Sequence, residues 1–266
     1  MSLKSFVPLI GIISILPCAP LSATCEPDTS ENRSPSIVSN FVIPTLYSIV
    51  PEVVATVFTK WAKDDGQFGL DMYRGYRCFE LGVAGLRRVY DYHYGQKRTN
   101  TAIAVAEEKD LSLNQAMFGY LLADTIVQAF MGNFRTDLLI HHLMGLTLWG
   151  ATLTYGIFPD VIAMNAAVEI LSALKGFETY FKRNGADISL SDQRFLKSAY
   201  AFRLAVILLI RYPIWLVLDW NLPNEHYAEL GPVGWGVLRS LNVGILGLET
   251  LWLYQTGKAF NRYRFW

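Results

Sequence analysis

The segment Asp137-Leu-Leu-Ile-His141-His142 places a carboxylate and two imidazoles at a spacing that could support acid–base chemistry. In a helix Asp137 and His141 share one face, so the carboxylate could orient that imidazole as in a catalytic triad. A neutral imidazole can act as a general base near neutral pH. Adjacent residues point about 100° apart around a helix, so one metal ion held by both rings is not expected. The motif predicts a histidine-dependent site, and the alternative is a helix-end pair that contacts only lipid headgroups or backbone.

Several further ionisable or strongly polar residues lie inside long apolar stretches. A charged group at the centre of a bilayer costs roughly 2.5 kcal/mol or more, so such residues usually face the interior of a helix bundle and have a role. Asp124 and Glu169 are predicted to complete a catalytic group around His141 and His142. The predicted substrate-binding set consists of Asp137, Arg203, Arg211, Asn242 and Glu249. The alternative is that these residues form structural ion pairs that fix helix register.

The apolar stretches indicate an all-α, polytopic membrane protein with about seven transmembrane helices. Hydrophobic residues make up 52% of the 266 residues and charged residues only 17%, against roughly 25% charged residues in soluble domains. The formal net charge is zero and no basic stripe stands out, so nucleic acid is not an expected partner. The predicted spans are 41–59, 72–92, 113–131, 138–155, 161–181, 199–218 and 233–253. The second carries several charged residues, so whether it crosses the membrane stays open.

The chain divides into four predicted regions. Residues 1–25 have the order of a signal peptide, with Lys4 before an apolar run and small residues before Cys25; a retained anchor is the alternative. Residues 26–40 form a lumenal linker with a glycosylation sequon at Asn32. Residues 41–257 form the membrane domain and residues 258–266 a cytosolic tail. Loop charges place the tail side in the cytosol, which predicts an integral protein of the endoplasmic reticulum or another secretory-pathway membrane.

Five short motifs occur in order between residue 41 and the C-terminus. They read GYLLAD (119–124), IHH (140–142), TYGIFP (154–159), EILS (169–172) and RYPIW (211–215). The ordered set resembles the TLC domain family, named for translocating-chain-associating proteins, longevity-assurance proteins (the ceramide synthases) and a ceroid-lipofuscinosis protein. The resemblance implies a six-helix barrel or bundle with one additional helix around a lipid-sized tunnel. It also implies that His141 and His142 match the paired histidines that ceramide synthases use to transfer an acyl group from acyl-CoA to a sphingoid base.

The chain departs from the ceramide synthases directly after this pair. Where those enzymes carry a His-Asp segment and a second aspartate, residues 164–169 contain one carboxylate, Glu169. The chain is more similar to the small TLC-domain transmembrane proteins, which are linked to membrane lipid composition. The first functional hypothesis is therefore acyl transfer to a membrane lipid, with acyl-CoA as a candidate substrate and no cofactor. The second is a non-catalytic lipid-binding regulator of membrane composition, and the third is a transporter. Membrane lipids are the expected partners, and the oligomeric state is not predicted.

Overall fold

The computed structural model describes residues 37–61, 66–94, 100–132, 135–155, 166–167, 169–183, 189–221 and 225–263. All regular secondary structure in these residues is helical. The α-helices are α1 (Ile43–Trp61), α2 (Gly66–Tyr94), α3 (Asn100–Met131), α4 (Thr136–Tyr155), α5 (Ile170–Arg183), α6 (Leu190–Val206), α7 (Tyr212–Asn221) and α8 (Glu225–Phe260). Short π-helical segments at Val38–Val42 and Ile207–Arg211 lead into α1 and join α6 to α7. The predicted signal peptide and the sequon at Asn32 lie outside the described residues.

Each predicted span overlaps a helix, but several helices begin at a different residue from the span: α3 begins at Asn100 rather than at 113, α5 at Ile170 rather than at 161, and α6 at Leu190 rather than at 199. The π-helical start at Val38 includes the end of the predicted linker, and α8 continues to Phe260, into the predicted tail. Residues 161–165 of the predicted fifth span lie outside the described residues. Among the described residues, two helical stretches, Val38–Val57 and Leu190–Leu216, are long and apolar enough to cross a membrane.

Helix α8 begins between the predicted sixth and seventh spans and bends before the seventh. The bend lies at Gly231, whose φ of 66° and ψ of 175° interrupt the helix, and Pro232 follows. A positive φ of this size is a conformation that glycine adopts without a Cβ clash. The residue before a proline also avoids the helical region because of the proline ring. The Gly-Pro pair therefore separates a short helical approach, which begins at Glu225, from the main part of α8.

Six of the described helices form a closed ring. Contacts run from α2 to α5, from α5 to α6, from α6 to α8, from α8 to α4, from α4 to α3, and from α3 back to α2. Helix α7 continues the line of α6 along α8. Helix α1 lies outside the ring and packs against α2 and α3. The inner faces of helices that are distant in sequence therefore surround one common interior.

The charges that made the second predicted span uncertain are largely paired within the helix bundle. Arg74 of α2 forms ion pairs with Asp71 in the same helix and with Asp124 in α3. The Nε atom of Arg88 lies 2.7 Å from Oδ1 of Asp110, which also belongs to α3. Loss of one partner from a buried ion pair is strongly destabilising. These pairs therefore fix the position of α2 along α3.

Helix α1 approaches the ring most closely at Gly119 of α3. A Cβ atom built on Gly119 would lie 2.4 Å from the carbonyl carbon and oxygen of Pro44 in α1. These are backbone atoms, so they cannot turn away as the end of a flexible side chain could. The close contact between the two helices therefore requires a residue without a side chain at this position.

We expect Gly119→Leu to lower the free energy of unfolding by about 1–3 kcal/mol, because the added side chain forces α1 away from α3. The matched control is Gly247→Ala in α8, where an added Cβ would meet nothing within 4 Å. The control should be neutral or slightly stabilising, by up to about 1 kcal/mol, because alanine favours a helix. Thermal unfolding of the detergent-purified proteins, followed by tryptophan fluorescence, measures both. Equal melting temperatures for wild type and Gly119→Leu would contradict the close packing.

Candidate active site

The ring of helices encloses a cavity of about 570 Å³, within the range of roughly 300–1,000 Å³ that is typical of small-molecule sites. Side chains from α2, α3, α4, α5, α6 and α8 contribute to its lining. Most of the described lining residues carry polar or charged groups, but apolar atoms make up more than half of the lining surface. The leucines in the lining are Leu121 and Leu138. Such a lining can receive the polar part of an amphiphilic ligand.

His142 is held at both ring nitrogens. Its Nε2 atom lies 3.3 Å from Oδ2 of Asp124, and its Nδ1 atom lies 2.9 Å from Oγ1 of Thr125. The Thr125 hydroxyl donates its hydrogen to the backbone oxygen of Leu121, at 2.6 Å. Because a hydroxyl has only one hydrogen to donate, Oγ1 can only accept from Nδ1. Nδ1 of His142 therefore carries a proton, and a hydrogen bond between Nε2 and Asp124 requires a second proton, on Nε2 or on the carboxylate.

Asp124 is the centre of a buried hydrogen-bond network that links four helices. Its side chain is 1% exposed and accepts hydrogen bonds from Nε of Arg74 and, at 2.9 Å, from Nε2 of Gln128. The Nη1 atom of Arg74 lies 3.3 Å from Asp71, which in turn accepts a hydrogen bond of 2.9 Å from Thr179. Helices α2, α3, α4 and α5 are thus connected through two carboxylates, Asp124 and Asp71, and the guanidinium group of Arg74. The predicted association of Asp124 with a histidine is observed at His142.

His141 lines the same cavity but is held differently. Its ring packs edge-on against Trp252 of α8, with 5.0 Å between the ring centroids. Among the described residues, neither of its nitrogens has a hydrogen-bond partner. A base or nucleophile needs an available nitrogen lone pair, and His141 meets this condition better than His142.

The Asp137 carboxylate reaches His141 only indirectly. It accepts hydrogen bonds from Nη2 of Arg135 at 2.6 Å and from Nε1 of Trp252 at 3.3 Å. The sequence spacing suggested a direct Asp137–His141 pair. Among the described contacts, Trp252 links the two residues instead, because it donates to Asp137 and packs against the ring of His141. Partial burial acts to raise the pKa of Asp137, which precedes the predicted span, but the hydrogen bonds and charge of Arg135 hold that pKa below its ordinary value.

Glu169 lines the same cavity, and its charge acts on His141. Its Oε2 atom accepts a hydrogen bond of 2.9 Å from Ser172 and lies 3.9 Å from Sγ of Cys78. The same sulfur lies 3.3 Å from the hydroxyl of Tyr120. Glu169 therefore belongs to a neighbouring polar group made of Cys78, Tyr120 and Ser172.

The predicted substrate-binding residues separate into cavity-lining and structural groups. Asp137, Arg203 and Arg211 line the cavity. The Arg211 guanidinium lies 2.6 Å from Oε1 of Glu249, and this pair is almost completely buried. Asn242 donates a hydrogen bond of 3.1 Å to the backbone oxygen of Trp215. Glu249 and Asn242 do not belong to the described lining, and their contacts link α8 to the helix that contains Arg211.

Several residues that hold the site were not predicted from the sequence. Arg74, Thr125 and Gln128 position Asp124 and His142, and Glu52 of α1 is fully buried beside this network. Two signals could have found some of them. A buried aspartate needs a nearby positive partner, which the charges of the second span provide. An acidic residue in the middle of an apolar span is itself a functional-site signal.

Comparisons with family models, with curated proteins and with solved structures give no match. The resemblance to TLC-domain proteins is therefore carried by the sequence motifs alone, and the functional conclusion depends on the geometry of the site.

We expect the buried Arg74–Asp124 pair to show strong coupling in a double-mutant cycle. Arg74→Met or Asp124→Leu alone should each lower the free energy of unfolding by roughly 3–5 kcal/mol, because each leaves a buried charge without its partner. The double variant should lose less than the sum of the two. Arg135→Met is the control, because Arg135 is 54% exposed and its pair with Asp137 should contribute at most about 1 kcal/mol.

Unfolding by SDS titration in mixed micelles measures these free energies. Additive losses for the two single substitutions would contradict the coupling.

Proposed function

We propose that this chain is a multi-span membrane protein of the TLC type, in which the ring of six helices surrounds a lipid-modifying site and α1 is the additional outer helix. Two helical stretches long and apolar enough to cross a membrane support a membrane location. Large apolar side chains on the outer surface support it further, because soluble monomers rarely expose extended apolar patches. Examples on α1 and the α6–α7 junction are Leu46, Val50, Val57, Leu208 and Leu209.

The proposed reaction is transfer of a fatty acyl group from acyl-CoA to an amine or hydroxyl group of a membrane lipid. The observation that carries it is His141, which lines the cavity and has no hydrogen-bond partner among the described residues, while the neighbouring His142 is anchored. As a base, His141 removes the proton from the acceptor as its nitrogen or oxygen attacks the thioester carbonyl. The carbon–sulfur bond then breaks, and the proton passes to the CoA thiolate. Alternatively, the imidazole itself accepts the acyl group before passing it on.

Three basic residues in the cavity lining support acyl-CoA as the donor. Arg203, Lys258 and Arg262 line the cavity and form no ion pair with the described residues. Arg203 also lies close enough to Arg211 for the two charges to repel each other. Phosphate groups bind where several cations converge. Lys258 and Arg262 follow the last predicted span on the predicted cytosolic side, which is where acyl-CoA is available.

A non-catalytic lipid-binding role is the second candidate, and the hydrogen bonding of Glu169 favours it. Among the described contacts, this carboxylate is engaged with Ser172 and Cys78. Its charge acts on His141, but the carboxylate in contact with the histidine pair is Asp124. In this role the same cavity would hold a lipid headgroup without converting it.

We expect His141→Ala to lower acyl transfer at least about 100-fold, because it removes the proposed base or acyl acceptor. The ring of His141 makes no described hydrogen bond, so its loss should lower the melting temperature only through the lost packing against Trp252. Purified protein is incubated with acyl-CoA and a mixture of long-chain amines and lysolipids, and CoA release and products are followed by mass spectrometry.

Leu143→Ala is the matched control on the same helix, because Leu143 is largely exposed on the opposite side of α4 from the cavity. This variant should retain activity. Turnover that is equal in wild type and His141→Ala would rule out the proposed role of His141. A lipid that co-purifies with wild type, without turnover on any substrate tested, would favour the binding role.

Arg203→Gln is expected to raise KM for acyl-CoA roughly tenfold, because one charge-assisted contact contributes about 1.5–3 kcal/mol. The same substitution should have little effect on KM for an acyl-pantetheine donor, which lacks the nucleotide phosphates. Lys197→Gln is the control, because Lys197 packs against the ring of Phe260 and is absent from the described cavity lining. An equal rise in KM for both donors would exclude a phosphate contact at Arg203.

A further inference from the structure

Glu52 is a buried carboxylate outside the ring. Glu52 lies in the middle of α1 and is fully buried. Neither of its carboxylate oxygens has a hydrogen-bond partner among the described residues. A buried carboxylate without hydrogen bonds costs several kcal/mol and therefore requires an explanation. The charges that act on it are those of Asp124, Arg74 and Arg77, so Glu52 lies beside the network that holds His142.

Arg74 has one guanidinium nitrogen available for such a carboxylate. Its Nε atom donates to Asp124 and its Nη1 atom to Asp71. The remaining nitrogen, Nη2, is buried and has no hydrogen-bond partner among the described residues. A guanidinium group that binds carboxylates through all three nitrogens is held in one orientation, because rotation would break every bond.

The packing of α1 keeps Glu52 facing this network. Ser48 and Glu52 are four residues apart and share one face of the helix. The backbone oxygen of Ser48 accepts a hydrogen bond of 3.4 Å from the hydroxyl of Tyr73, the residue that precedes Arg74 in α2. The missing side chain at Gly119 lets α1 approach α3 closely at Pro44.

We propose that Glu52 is a positioning residue, which binds Arg74 from α1 and thereby holds the Asp124 carboxylate against Nε2 of His142. No direct hydrogen bond joins the two groups, so the contact is made through a buried water, which needs only a few polar partners of this kind. The outer helix is then part of the site, although it contributes no described residue to the cavity lining. The effect of Glu52 on turnover rests on the proposed function, whereas its effect on His142 does not.

The test uses ¹⁵N-histidine-labelled full-length protein in detergent micelles. The chain has four histidines, so the His142 ring signals can be assigned by their loss in His142→Asn. Glu52→Leu is expected to shift the Nε2 signal of His142, because Asp124 loses its fixed position. Glu52→Gln keeps the shape without the charge and should give a smaller shift. In the transferase assay, kcat of Glu52→Leu should fall roughly tenfold with KM unchanged, and Glu52→Asp should restore part of both effects.

Glu80→Gln is the matched control, because Glu80 pairs with Arg77 in the same helix as Arg74; it should leave the His142 signals in place. Unchanged His142 signals in Glu52→Leu, even with a lowered melting temperature, would overturn the positioning role. If Glu52→Leu does not fold, unchanged signals in Glu52→Gln overturn it equally. A shifted His142 signal in a protein without transferase activity would support the positioning role and count against the proposed reaction alone.

Discussion

The buried ion pair between Arg74 and Asp124 determines how the helices of the ring fit together. Each charge would cost several kcal/mol if it were buried alone. A shift or rotation of either helix would break the pair and leave both charges buried without a partner. The pair joins α2 to α3 directly, and Asp124 extends the connection to His142 in α4. Asp71 extends it to Thr179 in α5. An apolar core could have packed these helices in several similar registers, whereas this network is satisfied in one.

The same network gives two adjacent histidines different chemical roles. The two ring nitrogens of His142 contact Thr125 and Asp124, so the role of His142 is structural. His141 points away around the helix, toward Trp252 and the cavity, because neighbouring residues are separated by about 100°. One anchored ring fixes the rotation of α4, and that rotation directs the other ring into the cavity. An available imidazole beside an anchored one is what the proposed acyl transfer requires.

The helices could be predicted from the sequence because their signal is local, whereas the partners within the site could not. The seven spans predicted from long apolar runs all overlap helices. The motif around His141 and His142 identified two residues that line the cavity. The role of Arg74 depends on the contact between α2 and α3, which no local sequence pattern reveals. From the sequence alone, the charge of Arg74 was only a reason to doubt that the second span crosses the membrane. The spacing of Asp137 and His141 gave the correct shared region but not the Trp252 ring between them.

The distribution of charge in the cavity indicates where a soluble and a membrane-bound reactant would meet. Around Asp124 the charges are largely neutralised by partners, so this part of the cavity attracts no additional ion. Arg203, Lys258 and Arg262 form no ion pair with the described residues and would attract an anion, and the charges of Glu178 and Glu249 offset only part of that of Arg203. The outer surface of α1 and of the α6–α7 junction is apolar. Under the proposed reaction, the polar donor enters beside the free cations while the lipid chains remain against the apolar exterior. The reacting groups then meet in the cavity at His141. A volume of about 570 Å³ is sufficient for these groups because the lipid chains stay outside it.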